Sequence, residues 1–199
     1  MAKVLVLYTS PIVADKSIST TLLNEFINLY AQKNPQDEIT KIDLNKQDDI
    51  KQIISSENIA TYFSDGVSDK YIELLKTHDK VILNAPMLNF NVPAVLKAFF
   101  DRVCVANKTF SYKYAKKGSS IGLLNHLDIQ IIATQGAPLG WYPFSSHVNY
   151  LEGVWNFLGA KKINTMLVDG VKVEPLSLKT ADEILAEYEE ELLNQVNKF

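Results

Sequence analysis

The chain has 199 residues, of which 47% are hydrophobic and 22% charged, and its formal net charge is −3. These values are typical of a single globular domain, predicted here over residues 1–199, and they argue against nucleic acid or an anionic membrane as the main partner. The single cysteine, Cys104, excludes an intrachain disulfide and a cysteine-based zinc site. The apolar run at the N-terminus is too short for a signal peptide or a membrane span, so we expect a cytoplasmic protein.

Five short runs rich in β-branched residues predict five strands, at residues 3–9, 38–44, 80–85, 128–134 and 162–168. The first, third and fourth runs are apolar at consecutive positions, as in parallel strands that are covered on both faces. The second alternates more loosely, which favours an edge strand.

Segments with helical periodicity separate these runs and predict helices at residues 17–33, 65–77, 93–105, 144–158 and 180–196. Alternating strands and helices predict an α/β fold with a doubly wound parallel sheet in three layers. Five strands favour the flavodoxin-like order 2-1-3-4-5 over the six-stranded dinucleotide fold. Two long insertions interrupt the pattern: residues 45–64, expected to be partly helical, and residues 108–126.

The usual catalytic signatures are absent from the sequence. The glycines form neither G-x-G-x-x-G nor a P-loop, and no G-x-S-x-G elbow is present. The three histidines are scattered, so a metal site is poorly supported, and we expect His126 and His147 to be solvated or to cap a helix.

Serines follow the first predicted strand at the start of the first helix. Ser10, Ser17 and Ser19 would place hydroxyl groups beside the free N–H groups and the positive dipole end of that helix, an arrangement that suits a phosphate monoester. The alternative is that a serine simply caps an ordinary helix.

The loop after the third strand, A-P-M-L-N-F-N-V-P, has the features that a flat heteroaromatic ring requires. Met87 and Phe90 are apolar, and the Asn89 amide can both donate and accept hydrogen bonds. The alternative is an ordinary strand-to-helix connection in which Asn91 caps the helix. After the fourth strand, Gly136 permits close approach of a ligand, and Trp141 either lines a pocket or packs in the core.

Over its full length the sequence resembles the FMN-dependent NADH azoreductase family, formerly labelled acyl carrier protein phosphodiesterase. The resemblance rests on K-V-L-V-L at the start, the Ser10 and Ser17-x-Ser19 spacing, A-P-M-x-N-F at 85–90, L-K-x-F-F-D at 96–101, T-F-x-Y at 109–112 and F-L-G at 157–159. It implies that FMN contacts Ser10, Ser17, Ile18, Ser19, Met87, Leu88, Asn89, Phe90, Thr134, Gln135, Gly136 and Ala137.

The sequence departs from the family pattern at two places. Leu88 replaces a tyrosine, and T-Q-G-A at 134–137 replaces S-R-G-G, with the loss of a cationic side chain and one glycine. FMN contacts made by the backbone should survive these two changes. The flavin potential and the substrate preference, in contrast, are expected to be affected by the changed side chains.

The resemblance also implies a ping-pong reaction in which NADH reduces the flavin and the flavin then reduces a quinone or an azo bond. Chemistry on the cofactor requires no catalytic side chain. Tyr112 and Trp141 are candidates for the substrate pocket, and the alternative for Tyr112 is a surface position on the second insertion. Lysines 113, 116 and 117 either attract the NADH diphosphate or form a solvated loop face. The only arginine lies far from these loops in sequence, which favours NADH over NADPH. The family forms homodimers with flavin sites at the interface.

Two other functions are compatible with the sequence. A flavodoxin-like electron carrier would pass single electrons to a protein partner. A flavin-free hydrolase acting on acyl carrier protein would require a nucleophile and base that the sequence does not reveal.

Overall fold

A computed structural model describes residues 1–113 and 120–199 and contains a five-stranded parallel sheet. The strands in chain order are β1 (Lys3–Tyr8), β2 (Glu38–Asp43), β3 (Lys80–Pro86), β4 (Phe110–Ser111), β5 (Ile121–Gly122), β6 (Asp128–Thr134) and β7 (Lys162–Val168). The sheet order is β2-β1-β3-β6-β7, and β4 and β5 form a separate antiparallel pair. Because β6 and β7 are the predicted fourth and fifth strands, the predicted order is confirmed.

Helices cover both faces of this sheet: α1 (Ile18–Lys33), α2 (Val67–Thr77), α3 (Ala94–Val103), α4 (His147–Leu158) and α5 (Ala181–Lys198). Successive side chains of β1 point to opposite faces of the sheet, and the core is accordingly divided into two clusters. Val4 and Val6 belong to the cluster that contains buried residues of α1 and α5, whereas Leu5 and Leu7 belong to the cluster with α2, α3 and α4. The three predicted layers are therefore confirmed.

Local capping explains where two helices differ from the prediction. Helix α4 begins at His147 because the Ser146 hydroxyl accepts the N–H of Asn149, and it ends at Gly159, whose φ is 93°. Helix α3 begins after Pro93, which occupies the N-cap position. Asn91 is therefore not the cap, and its side-chain oxygen accepts the N–H of Val92 instead.

The first insertion is held against α3 by the buried Arg102. The Arg102 guanidinium lies 3.5 Å from the centre of the Tyr62 ring and donates hydrogen bonds to the Tyr62 carbonyl at 2.5 Å and to Asp65 at 2.8 Å. The insertion contains one 3-10 turn, Leu44–Lys46, followed by turns, so the expected partial helix is limited to that short turn.

The second insertion contains the β4–β5 pair, which docks on the C-terminal end of α4. A β-carbon on Gly122 would lie 2.2 Å from the Gly159 nitrogen, so only glycine permits this approach. The Leu124 N–H donates to the Leu158 carbonyl at 2.9 Å. Lys116 and Lys117 lie outside the described residues.

Within the described ranges, no helix combines the length and the apolar character that crossing a bilayer requires.

Candidate functional site

The loops after β1, β3 and β6 meet at one edge of the sheet, as predicted. The Thr9 N–H donates to the Asn84 side chain at 2.8 Å, and the Thr9 hydroxyl donates to the Asn84 carbonyl at 2.6 Å. The Met87 N–H donates to the Thr134 carbonyl at 2.7 Å. These bonds join the ends of the three strands, so the three loops are held in fixed relation to one another.

The serines at the start of α1 form a chain of hydroxyl contacts. The Oγ atoms of Ser10 and Ser17 lie 2.9 Å apart, and those of Ser17 and Ser19 lie 3.3 Å apart. Ser17 is also the N-cap of α1 and accepts the Thr20 N–H at 3.3 Å. The cap interpretation is therefore confirmed, and because the cap is also part of a hydroxyl cluster, it is compatible with the predicted phosphate site. We call Ser10, Ser17, Ile18 and Ser19 the serine cradle.

The serine cradle carries backbone donors that the fold leaves available. In the described part of the chain, with Asp15 set aside, the N–H groups of Ile18 and Ser19 have no acceptor. Both lie in the first turn of α1, where the helix dipole favours a negative charge. Hydroxyl and N–H donors of this kind fit a phosphate group.

Asn84 supports the cradle from below, and sequence reasoning did not select it. It is fully buried in β3, and its Nδ2 atom donates to the hydroxyls of Ser19 at 3.3 Å and Thr20 at 3.1 Å. One amide thus links β1, β3 and α1. The available signal was a single polar residue inside the apolar run V-I-L-N-A.

The loop after β3 forms a tight turn from Leu88 to Asn91. The Leu88 N–H donates to the Asn91 carbonyl at 2.8 Å, and the Asn91 N–H donates to the Leu88 carbonyl at 3.0 Å. The two central residues have positive φ, 45° at Asn89 and 70° at Phe90. Left-handed backbone at a non-glycine residue costs free energy, and such strain is concentrated at functional sites. The turn directs Asn89 and Phe90 away from the core, and both are exposed.

Exposed aromatic rings surround this turn. The ring centroid of Phe90 lies 5.3 Å from that of Tyr142 and 5.1 Å from that of Phe144. The Ser145 hydroxyl donates to the Phe90 carbonyl at 2.6 Å and so joins the segment before α4 to the turn. We call Phe90, Tyr142 and Phe144 the aromatic rim. Contiguous exposed apolar surface of this kind is typical of a binding site.

The loop after β6 is anchored through its carbonyl groups. The carbonyls of Gln135, Gly136 and Ala137 accept N–H groups from Val171, Lys172 and Gly170, respectively, at 2.9–3.1 Å. Among the described residues, the N–H groups of Gly136 and Ala137 have no acceptor. This loop therefore presents two backbone donors that can face a negatively charged ligand edge.

Gly136 also leaves room for a neighbour. A β-carbon at this position would lie 3.0 Å from Cγ of Lys172, whose side chain crosses the glycine. Gln135 stands where the family pattern has an arginine, but its side chain does not reach the loop surface. It is buried and donates to the Ala137 carbonyl at 2.9 Å.

His147 lies against the carboxyl end of β3, and the expectation of a solvated or capping histidine is wrong for it. Its side chain is buried, and Nε2 lies 3.2 Å from the carbonyl oxygen of Ala85. Burial lowers the pKa of this imidazole to about 4, so it is neutral at pH 7 and donates from Nε2 to that carbonyl. His126 is exposed, as expected.

The remaining predicted residues are placed in different ways. Trp141 is exposed on the loop after β6, so it does not pack in the core. Tyr112 packs edge-on against Phe110 at 5.3 Å on the β4–β5 hairpin, and its role in a substrate pocket stays a prediction. Lys113 is exposed on the same hairpin. Burial raises the pKa of the Cys104 thiol to about 11, which disfavours the reactive thiolate.

Comparison with known sequences identifies close relatives over the whole chain. A family model described as a flavodoxin-like fold matches residues 2–196. The chain is 49% identical to the FMN-dependent NADH:quinone oxidoreductase of Metamycoplasma arthritidis (strain 158L3-1) over 199 residues, which cover 100% of both chains. It is also 49% identical to the protein of the same name from Mycoplasmopsis pulmonis (strain UAB CTIP), again over 199 residues and 100% of each chain.

Solved structures show the same similarity. The crystal structure of the azoreductase from Bacillus anthracis str. Sterne superimposes with a TM-score of 0.85 at 26% sequence identity, and the match covers 100% of both chains.

Proposed function

This chain belongs to the flavodoxin-like family that includes the FMN-dependent NADH:quinone oxidoreductases, and we propose that it is such an enzyme, transferring two electrons from NADH through FMN to quinones or azo compounds. One observation carries the proposal. The serine cradle and the turn at Asn89 and Phe90 lie at one edge of the sheet, where open α/β sheets bind their ligands.

The serine cradle fits the FMN phosphate. It supplies hydroxyl groups from Ser10, Ser17 and Ser19, together with the N–H groups of Ile18 and Ser19. Because Asn84 holds the Ser19 hydroxyl from below, these donors are oriented before a ligand arrives. Preorganised donors reduce the cost of ordering the site when it binds.

The loops after β3 and β6 fit the isoalloxazine ring. Met87, Leu88 and the turn at Asn89 and Phe90 would contact the ring on one side, and residues 134–137 would contact its edge. Bound FMN supplies the two-electron redox chemistry. The N–H groups of Gly136 and Ala137 would stabilise negative charge that develops at the ring edge during reduction.

The aromatic rim would bind the electron acceptor. Its rings offer apolar faces to a planar quinone or azo compound and restrict water near the cofactor. Within the described residues, no carboxylate or lysine forms a hydrogen bond or ion pair with the turn at Leu88 to Asn91. Recognition at the rim therefore depends on shape and apolar contact.

We also propose that the protein is a cytoplasmic homodimer whose sites lie at the subunit interface. Support comes from the exposure of Trp141, Tyr142 and Phe144, which is unusual for large aromatic side chains. Trp155, by contrast, is fully buried within the subunit and does not contribute to such an interface. Sedimentation equilibrium of the FMN-loaded protein should give twice the chain mass.

Spectroscopy and turnover test the proposed function together. The purified protein should be yellow, and under anaerobic conditions it should turn over NADH catalytically only when a benzoquinone or an azo dye is present. Photoreduction followed in the visible spectrum should proceed in one two-electron step, whereas an electron carrier would show two separate steps. A protein that fails to bind FMN and hydrolyses acyl carrier protein would contradict the proposal.

A further inference from the structure

A separate cavity of about 510 Å³ opens beside the serine cradle, at the carboxyl ends of β1 and β2. Its volume lies in the range of small-molecule sites. Its walls come from the ends of these two strands, from α1 and from the loop after β1. Ser10 of the serine cradle lines one wall, so the cavity adjoins the proposed phosphate site, whereas the aromatic rim and the loop after β6 take no part in it.

Strand register gives this cavity a polar floor. Tyr8 and Asp43 are direct partners in the β1–β2 ladder, and Lys41 lies two residues before Asp43 on the same face of β2. The Tyr8 hydroxyl donates to Asn24 of α1 at 2.8 Å, and burial together with nearby Asp43 raises the pKa of the phenol. The phenol therefore stays protonated, and its ring lines the cavity.

One wall is apolar and unusually exposed. Ile12 and Val13, in the loop after β1, are 45% and 64% exposed and face the cavity. Exposed aliphatic side chains beside a tyrosine ring form a slot that suits a flat heteroaromatic base.

Two charged side chains of the cavity could bind polar groups of a ligand: Lys41 an anion and Asp43 a hydroxyl group. Lys46 lies 3.4 Å from Oδ2 of Asp43, whereas Lys41 forms no ion pair among the described residues, with Asp15 set aside. The Asp43 carboxylate accepts the backbone and side-chain N–H groups of Asn45 at Oδ1, at 3.0 and 3.1 Å. Because a carboxylate has about four acceptor positions, Oδ2 can still accept a hydroxyl group.

We propose that this cavity binds the adenosine monophosphate half of NADH, with the adenine in the slot, a ribose hydroxyl on Asp43 and a phosphate near Lys41. This inference rests on the proposed function, because it assigns a place to the distal half of the electron donor. It would give a chain without a glycine-rich dinucleotide motif a place to bind the distal half of NADH.

The position in the fold supports this assignment. In dinucleotide-binding β-α-β units an acidic residue after the second strand binds the adenosine ribose, and Asp43 is the last residue of β2. The cavity lies between β2 and β1, and the proposed ring site lies between β3 and β6. Neighbouring strands are about 4.8 Å apart, so the two sites are about 10 Å apart across the sheet, a span that an extended dinucleotide can bridge.

The test compares two electron donors on the FMN-loaded enzyme with a benzoquinone as acceptor. NADH carries the adenosine half, and reduced nicotinamide mononucleotide lacks it. Lys41→Glu replaces attraction of the adenosine phosphate by repulsion at a partly exposed site, so kcat/KM for NADH should fall about tenfold. Turnover with the mononucleotide should stay within about twofold of wild type.

A second variant and a control complete the experiment. Val13→Asp, which places a negative charge in the apolar wall, should reproduce the selective loss for NADH. Lys161→Glu makes the same charge change as Lys41→Glu at the amino end of β7, on the opposite edge of the sheet, and should change neither donor. In calorimetry, 5′-AMP should bind the FMN-loaded wild type more tightly than the Lys41→Glu variant.

The donor comparison separates failure of this inference from failure of the proposed function. Equal losses with both donors, or no loss with either, overturn the adenosine site and leave the enzyme function intact. An enzyme that neither donor reduces contradicts the proposed function itself.

Discussion

The serine cradle and the aromatic rim form the two ends of one proposed flavin site, and they are built in opposite ways. Ser17 and Ser19 are buried, and Asn84 links their cluster to two strands. Phe90 and its neighbouring rings are exposed, and Phe90 has backbone in the left-handed region. The cradle is therefore a rigid anchor, whereas the rim can adapt to acceptors of different shape.

This difference indicates how affinity and selectivity are divided. Donors fixed by buried hydrogen bonds should supply most of the FMN affinity, because their geometry costs nothing further to organise. Exposed rings should contribute less to cofactor affinity and more to the choice of acceptor. Four predictions test this division, from the largest expected effect to the smallest.

Low pH should lower the free energy of unfolding through His147, which lies near the aromatic rim. The imidazole pKa is 6.5 in the unfolded chain and about 4 in the fold, because burial disfavours the charged form. The unfolded state therefore binds a proton below pH 6.5 that the native state rejects, and stability falls as the pH drops from 6.5 towards 4. The loss over the full window should be about 3 kcal/mol.

Denaturant unfolding at a series of pH values measures this loss. His147→Gln keeps a donor for the Ala85 carbonyl but does not titrate, so its stability should depend less on pH in that window. His126→Gln, at an exposed position, is the matched control and should follow wild type. Identical pH profiles for wild type and His147→Gln would refute the assignment.

Removing the hydroxyl group of Ser17, the N-cap of α1, should weaken FMN binding at the serine cradle. Ser17→Ala deletes the centre of the hydroxyl chain. In the proposed site it also removes one hydrogen bond to the charged FMN phosphate, a type of bond that contributes about 1.5–3 kcal/mol. The dissociation constant for FMN should rise at least about tenfold in a fluorescence titration.

Thr180→Ala provides the matched control for Ser17→Ala. Thr180 caps α5 in the same way, through its hydroxyl and the Glu183 N–H, so its loss should cost about 1 kcal/mol of stability. FMN affinity should not change. If the control weakens FMN binding as much as Ser17→Ala does, the cradle is not the anchor.

The left-handed turn should be sensitive to the residue at its first central position. Asn89 has φ of 45°, which alanine tolerates poorly and glycine accepts. Asn89→Ala should therefore lower the free energy of unfolding by about 1 kcal/mol, whereas Asn89→Gly should be nearly neutral. Equal effects of the two substitutions in urea denaturation would show that the backbone is not strained there.

The smallest effect on cofactor binding is expected at the rim. Phe90→Ala removes a ring that is 49% exposed and packs against Tyr142 and Phe144. Aromatic pairs contribute about 0.5–1.5 kcal/mol, so the FMN dissociation constant should rise about threefold. The Michaelis constants of two quinones of different size should change by different factors. A loss of FMN affinity greater than that of Ser17→Ala would reverse the roles of the two ends.

Local patterns in the sequence were sufficient to predict the positions of the strands and most helix ends. Consecutive apolar residues identified the central strands to within one residue, and Gly159 ended α4 as expected. The predicted helix at 144–158 begins three residues before the observed α4. Its N-cap, Ser146, could not be recognised in the sequence because it resembles any other serine in a polar loop. Residue types also identified the cradle, since serine at a helix start has a local reason to be there.

Other parts of the site depended on contacts between distant residues. Asn84 could be seen as one polar residue in a strand, but its bonds to Thr9, Ser19 and Thr20 exist only once three elements are packed. His147 was misjudged because its burial is set by β3, which lies about sixty residues earlier, at Ala85. The resemblance supplied the cofactor, but it gave no sign of the cavity beside Tyr8.

The sequence by itself determined the positions of the strands, the serines and the apolar loop, because these follow from interactions between residues that are near one another in the chain. Only the tertiary structure decided which donors remain available, which rings are exposed and where β1 and β2 enclose a cavity. Those properties depend on which side chains from different strands compete for the same space and the same hydrogen bonds.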